Sequence, residues 1–195
     1  MIMHIGVLGG AFDPPTKGHE DVVEQALLEF DRVLLVPSIN HPFGKKMTDL
    51  PTRLEMLRIF VQKWAGKSRV VEIYNIEQSI YLTQGHHEPV YTYSTLQKLT
   101  ETLTTAETKV QLHFIVGPDN FQPEVWQKFY KHDEIEKNWP LFKVKERVPI
   151  RSSDVRAKLQ SINTSKGKRY AILIPMVGEP IARYIITHQL YGIYF

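Results

Sequence analysis

The densest group of residues able to do chemistry lies near the start of the chain, in Gly9-Gly10-Ala11-Phe12-Asp13-Pro14-Pro15-Thr16-Lys17-Gly18-His19. Small residues at Gly9 and Gly10 let a ligand lie against backbone amides, and Thr16 and His19, three apart, share one face of a starting helix. A helix start with a hydroxyl and an imidazole beside it is an anion site. An isolated Gly-Gly pair reads more often as a tight strand-to-helix turn in which the histidine caps or packs. Far along the chain, Ile150-Arg151-Ser152-Ser153-Asp154-Val155-Arg156 sets a serine pair one turn before an arginine. Alone, that is an ordinary serine cap with a solvated guanidinium. His86 and His87 are adjacent, so in an extended segment they point apart. No cysteine or patterned acid accompanies them, and no metal site is expected.

The elements that must position these groups follow from hydrophobic periodicity. His4-Ile5-Gly6-Val7-Leu8 reads as a strand ending in Gly9-Gly10, and Val22, Ala26 and Phe30 form one stripe of a helix over Lys17–Phe30. Val33–Val36 is apolar without alternation, as in a parallel strand covered on both faces. Thr52-Arg53-Leu54-Glu55 behind Pro51 has capping-box spacing for a helix to about Ala65. A strand is expected around Val70–Tyr74, a loop over Glu77–Pro89, a helix over Ser94–Thr102 and a strand over Val110–Val116. Beyond that the pattern gives a short helix at Pro123-Glu124, a strand over Phe142–Val148, a helix over Ser153–Leu159, an apolar segment at Tyr170–Ile174 and a last helix over Glu179–His188. Alternating strands and helices imply an α/β fold, an open, doubly wound parallel sheet of Rossmann-like type whose ligands sit at the carboxyl ends of the strands.

Composition sets the outer bounds. The 195 residues, 43% hydrophobic and 23% charged, fit one globular domain over 1–195. A net charge of +3 suits an anionic ligand without the Lys/Arg stripe of a nucleic-acid binder. With no cysteine, disulfides, thiol nucleophiles and Cys-based zinc sites drop out together. No apolar run approaches signal-peptide or membrane-span length, so no membrane partner and a cytoplasmic location are expected. A P-loop and a Gly-x-Ser-x-Gly elbow are both missing. The aromatic tail, Tyr191 to Phe195, could seal the core or meet a partner, such as a second copy in a homo-oligomer.

The glycine-turn run resembles the GG(S/T)FDPxHxGH signature of the nicotinate/nicotinamide mononucleotide adenylyltransferases, within the HxGH/TxGH nucleotidyltransferase superfamily. Thr16 stands at the first histidine, as in the sister pantetheine-phosphate enzymes. Ile150–Arg156 resembles the family's ISSTxIR, with Arg151 at the first serine. Pro89-Val90-Tyr91-Thr92-Tyr93-Ser94-Thr95-Leu96 resembles PSYTxxTL, Phe114–Asp119 resembles FIxGAD, and Met176–Tyr191 resembles the family's C-terminal LVPEPVxxYIxxxxLY. The resemblance implies a nucleotidyltransferase-type Rossmann-like fold, with Thr16, His19, Lys45 and Arg156 acting on the reacting phosphates. Lys46 beside Lys45 is an equal candidate, since the pair follows strand two at the ligand edge. ATP would be held by Gly9, Gly10, Ala11, Phe12, Gly18, Gly117, Asp119, Ser152 and Ser153, and the pyridine mononucleotide by Tyr91, Thr92 and Trp126, whose indole would stack on the ring.

The chemistry implied is attack of the mononucleotide's 5′-phosphate on the α-phosphorus of ATP, giving a dinucleotide and pyrophosphate in NAD biosynthesis. Mg²⁺ would be held mainly by ATP phosphates, with no protein metal site. Two other readings stay open: another nucleotidyltransferase of the superfamily, such as a pantetheine-phosphate adenylyltransferase-like enzyme, or a non-catalytic nucleotide-binding relative. One departure bears on both. Only Gln127–Pro149 is available where the family fits a helix and two strands, so a core strand is missing or abbreviated.

Overall fold

The computed structural model describes residues 2–40, 46–85, 88–161 and 165–192. Lys45, His86, His87 and the end of the aromatic tail lie outside these ranges. Five parallel strands form one sheet in the order β3-β2-β1-β4-β5: β1 (Ile2–Gly10), β2 (Arg32–Pro37), β3 (Val70–Ile73), β4 (Lys109–Val116) and β5 (Leu141–Lys143). The chain starts in the middle, winds out through β2 and β3, then returns to β4 on the other side of β1. That reversal opens a crevice at the carboxyl ends of β1 and β4, where open α/β sheets bind ligands.

Both faces are covered, which explains the unbroken apolar runs. On one face Leu8, Val33, Leu35 and Ile115 pack against α1 (Lys17–Glu29), α2 (Leu50–Val61), α7 (Ser152–Ser161), α8 (Lys166–Val177) and α9 (Glu179–Thr187). On the other, Ile5, Val7, Leu34, Val36, Leu112, Phe114 and Val116 meet α3 (Ile76–Thr83), α4 (Thr92–Leu103), α5 (Pro123–Trp126) and α6 (His132–Asn138). Period-2 alternation thus sends successive residues to opposite cores. No helix among the described residues is long and apolar enough to cross a membrane.

Four local expectations change. Helix α2 is capped by Asp49, whose carboxylate accepts from the Thr52 amide at 2.9 Å, so the Thr52–Glu55 box is not the one used. The aspartate serves because Pro51 falls in the first turn, where its missing N–H is no loss. The stretch read as loop from Glu77 forms α3, too short and too rich in Gln, Ser and Thr for its periodicity to stand out. The Tyr170–Ile174 segment is the middle of α8, which buries Arg169, Leu173 and Val177 at four-residue spacing. The strand expected over Phe142–Val148 is three residues long and starts at Leu141. This is the abbreviated strand, and among the described residues the sheet ends there.

Candidate active site

At the carboxyl end of β1 the chain turns through Ala11–Pro15 into α1. Thr16 is the N-cap, 1% exposed and extended, and its amide donates to His19 Nδ1 at 3.1 Å while its hydroxyl lies 3.4 Å from the His19 amide. An amide proton needs a lone pair, so Nδ1 accepts it, the Thr16 hydroxyl proton is shared between Nδ1 at 2.9 Å and the Ile150 carbonyl, and the imidazole proton is assigned to Nε2 from this network. Burial lowers the His19 pKa from 6.5 to about 4. The residue is therefore a neutral imidazole near pH 7 with one donor, Nε2–H, left for a ligand. Phe12, 1% exposed, packs its ring on His19 with centroids 5.1 Å apart.

The second motif comes to the same place. The Thr16 hydroxyl donates to the Ile150 carbonyl at 2.8 Å, Ser152 Oγ donates to the Pro14 carbonyl at 2.8 Å, and the Arg156 guanidinium donates to the Asp13 carbonyl at 2.5 Å. Gly18 makes this convergence sterically feasible: a Cβ there would lie 2.4 Å from the Ile150 carbonyl oxygen and 3.1 Å from that of Val148. The glycine before the histidine thus serves close backbone approach. Gly9 differs, because nothing lies within 4 Å of its would-be Cβ, nor of that at Gly117. These two open glycines flank the crevice at the ends of β1 and β4.

Other expected groups fall less evenly. Asp119 accepts two hydrogen bonds from Arg151, at 2.7 and 2.8 Å, which hold its carboxyl below the usual range. Arg151 also meets Glu146 at 2.7 Å, so the residue at the expected serine ties the β4 and β5 loops together. Ser153 is exposed on α7, and Lys46 is exposed. Tyr91, the N-cap of α4, packs its half-buried ring on Tyr130 at 4.8 Å, with Thr92 next to it. Trp126 is expected to offer a face to a ligand, yet the structure buries it. Its ring is flanked by Phe114 at 6.3 Å and Phe129 at 4.9 Å, and its indole N–H donates to Glu136 at 2.5 Å. Among the described residues the exposed aromatic at this corner is Tyr130.

Several supporting residues escape sequence reading. Asp13, 1% exposed, accepts from the Thr48 amide at 3.0 Å and the Tyr191 hydroxyl at 2.8 Å. Burial and the Asp13 carboxylate push Tyr191 above its ordinary range, which keeps it a donor. Arg53, also 1% exposed, donates to the Thr48 and Ala11 carbonyls at 2.8 and 2.9 Å and clamps the glycine turn from below. Its place in the stripe with Met56, Leu57 and Phe60 was the available signal, since a cation at a core position needs a specific partner. Tyr191 is marked in the sequence only as the last residue of the C-terminal match, which does not name Asp13 as its partner.

A five-stranded parallel sheet with helices on both faces and a glycine turn leading into a TxGH helix is the architecture of the Rossmann-like nucleotidyltransferases. The chain belongs to the cytidylyltransferase-like family, whose sequence model matches residues 7–158, and within it to the nicotinate-nucleotide adenylyltransferases. A solved structure from Vibrio parahaemolyticus, assigned as such an enzyme, is 31% identical, covers 97% of this chain and 96% of its own, and superposes with a TM-score of 0.74. A Leptospira borgpetersenii protein of the same assignment is 29% identical over 96% of both chains. The Plasmodium falciparum nicotinic acid mononucleotide adenylyltransferase, solved with NaAD, is 20% identical over 98% of both chains with a TM-score of 0.69, and shares the fold.

Proposed function

We propose that this protein transfers AMP from ATP to nicotinate mononucleotide, or its nicotinamide counterpart, in NAD biosynthesis. The observation that carries this reading is the meeting of the Asp13–His19 and Ile150–Arg156 segments through three hydrogen bonds at the ligand edge of the sheet. An oxygen of the mononucleotide's 5′-phosphate attacks the α-phosphorus, that P–O bond forms as the bond to the β-phosphate's bridging oxygen breaks, and the electron pair leaves with pyrophosphate. The attacking phosphate is already ionised near neutral pH, so no side chain need act as a base. Catalysis then consists of in-line positioning and stabilisation of charge on the equatorial and leaving oxygens.

In this scheme His19 donates Nε2–H to phosphate oxygen, Arg156 and Lys45 supply positive charge, and Thr16 fixes the imidazole rather than touching substrate. The adenosine lies along Gly9, Gly10 and Gly117, with Asp119 at the ribose and the amides of Ser152 and Ser153 near the phosphates. Tyr91 and Thr92 border the acceptor. Mg²⁺ neutralises phosphate charge when it is bound. Among the described residues no three His, Cys, Asp or Glu side chains gather as ligands, and both Asp13 oxygens are already engaged. In this proposal the cation would be brought in on the triphosphate, whose oxygens would hold it.

Incubating the protein with ATP, Mg²⁺ and separate acceptors, then weighing the products, tests the assignment. Nicotinate adenine dinucleotide and pyrophosphate are expected. Product only from phosphopantetheine, or ATP binding without any product, would replace the reading with one of its two rivals.

A further inference from the structure

A buried carboxylate beside this site has no part in the mechanism above. Glu77, in the first turn of α3, is 6% exposed, and burying a carboxyl group is unfavourable unless its oxygens are engaged. Its Oε2 accepts from the Ile39 amide at 3.0 Å and its Oε1 from the Thr95 hydroxyl at 3.2 Å. The two donors belong to different walls of the crevice.

Ile39 sits on the strip Ser38–Asn40 that leaves β2 along the ligand edge. The Ser38 amide donates to the Gly10 carbonyl at 2.9 Å, and Asn40 Oδ1 accepts from the Val90 amide at 3.2 Å. The strip is thus a strap from the glycine turn to the lead-in of α4. Thr95 lies in the first turn of α4, and its hydroxyl is also 3.2 Å from the Tyr91 carbonyl, so one proton is shared between Glu77 and Tyr91. We propose that Glu77 is a positioning residue: it sets the distance between the wall bearing Tyr91 and Thr92 and the glycine turn, and through it the alignment of the two reacting phosphates. This rests on the function proposed above. Burial raises the pKa of Glu77 to about 7, and the Ile39 and Thr95 donors together with the charge of Arg53 offset part of that cost.

The geometry separates this role from plain packing. In Glu77→Gln the amide oxygen can still accept from Ile39, while its NH₂ donates to Thr95 Oγ1 and the Thr95 proton turns to Tyr91, so both bridges survive. In Glu77→Leu both are lost while volume is nearly kept. A misalignment on the order of 1 Å is expected to lower kcat about tenfold or more, with the KM for ATP within about twofold of wild type. Glu77→Gln should restore kcat to within about threefold. Thr95→Val, which removes one hydroxyl isosterically, should lower kcat in the same direction and provides the test if Glu77→Leu does not fold.

Steady-state rates with ATP and nicotinate mononucleotide, taken well below each variant's Tm, decide the matter. Product from wild type with unchanged kcat in Glu77→Leu or Thr95→Val overturns the positioning role and leaves the function standing. Equal losses in the Gln and Leu variants also overturn it. Absence of product from wild type overturns the function and this role together.

Discussion

Two glycines nine residues apart should fail in opposite ways. Alanine at Gly18 places a methyl 2.4 Å from the Ile150 carbonyl oxygen, where ordinary contact begins near 3.4 Å, so the Val148–Ile150 backbone must retreat by about 1 Å. Overpacking against backbone costs about 1–3 kcal/mol, and alanine's better helix propensity returns roughly 1 of that. For a chain of this size the net loss of about 0–2 kcal/mol corresponds to a Tm lower by up to roughly 8 °C. The retreat also stretches the 2.8 Å bond from Thr16 to Ile150 and moves Arg156 away from His19, so kcat should fall about 10²-fold. Alanine at Gly9 meets nothing within 4 Å and should leave Tm nearly unchanged. The added methyl occupies the space where the adenosine is proposed to lie, and the KM for ATP should rise roughly tenfold or more. Thermal unfolding by circular dichroism and a pyrophosphate-release assay read both effects. Wild-type activity in Gly18→Ala would refute the claim that its close approach assembles the site, and an unchanged KM for ATP in Gly9→Ala would refute the placement of the nucleotide.

His19→Ala should reduce kcat by about 10² or more with the fold intact, the loss typical of one charge-stabilising donor; unchanged turnover removes His19 from the chemistry. Since burial holds its pKa near 4, kcat/KM should show no histidine limb between about pH 5.5 and 8, and an inflection near 6.5 that vanishes in His19→Asn would contradict the neutral imidazole. Trp126→Phe, which loses the bond to Glu136, should lower Tm while sparing the acceptor KM, whereas Tyr130→Ala should raise that KM; the reverse pattern would return Trp126 to the pocket. The pKa of Glu77 is higher in the folded state, so its contribution to stability is full below about pH 4.5 and is lost as pH rises through about 7. Relative to Glu77→Gln, the wild type should lose on the order of 3 kcal/mol across that window in denaturant titrations, and parallel pH profiles would refute the shift.

Periodicity and local chemistry are nearest-neighbour properties, and they suffice for the architecture. The apolar run at Val33–Val36 states that its strand is covered on both faces, and the helix over Lys17–Phe30 follows from its stripe. The glycine turn, the TxGH helix start and the beginning of α7 at Ser152 are legible for the same reason, because turns and helix starts depend on residues a few positions apart, although the Ser152 hydroxyl goes to Pro14 rather than capping its own helix. What periodicity lacks is length: α3 offers two turns and β5 three residues, and each differs from what its pattern predicts in type or extent.

The composition of the site was decided by packing between segments distant in sequence. That Gly18 serves the Ile150 backbone, that Tyr191 holds Asp13 and that Arg53 clamps Ala11 are contacts across 132, 178 and 42 positions, for which a linear pattern has no term. Trp126 shows the same limit from the other side. An aromatic at a fitting spacing can face solvent or core with equal ease, and here Phe129 on one side and Glu136 of α6 on the other hold it inward. Sequence alone established the type of fold and the two phosphate-directed segments. The tertiary structure decided which side chains face the crevice, because burial and hydrogen-bond partners are settled only when separate elements meet.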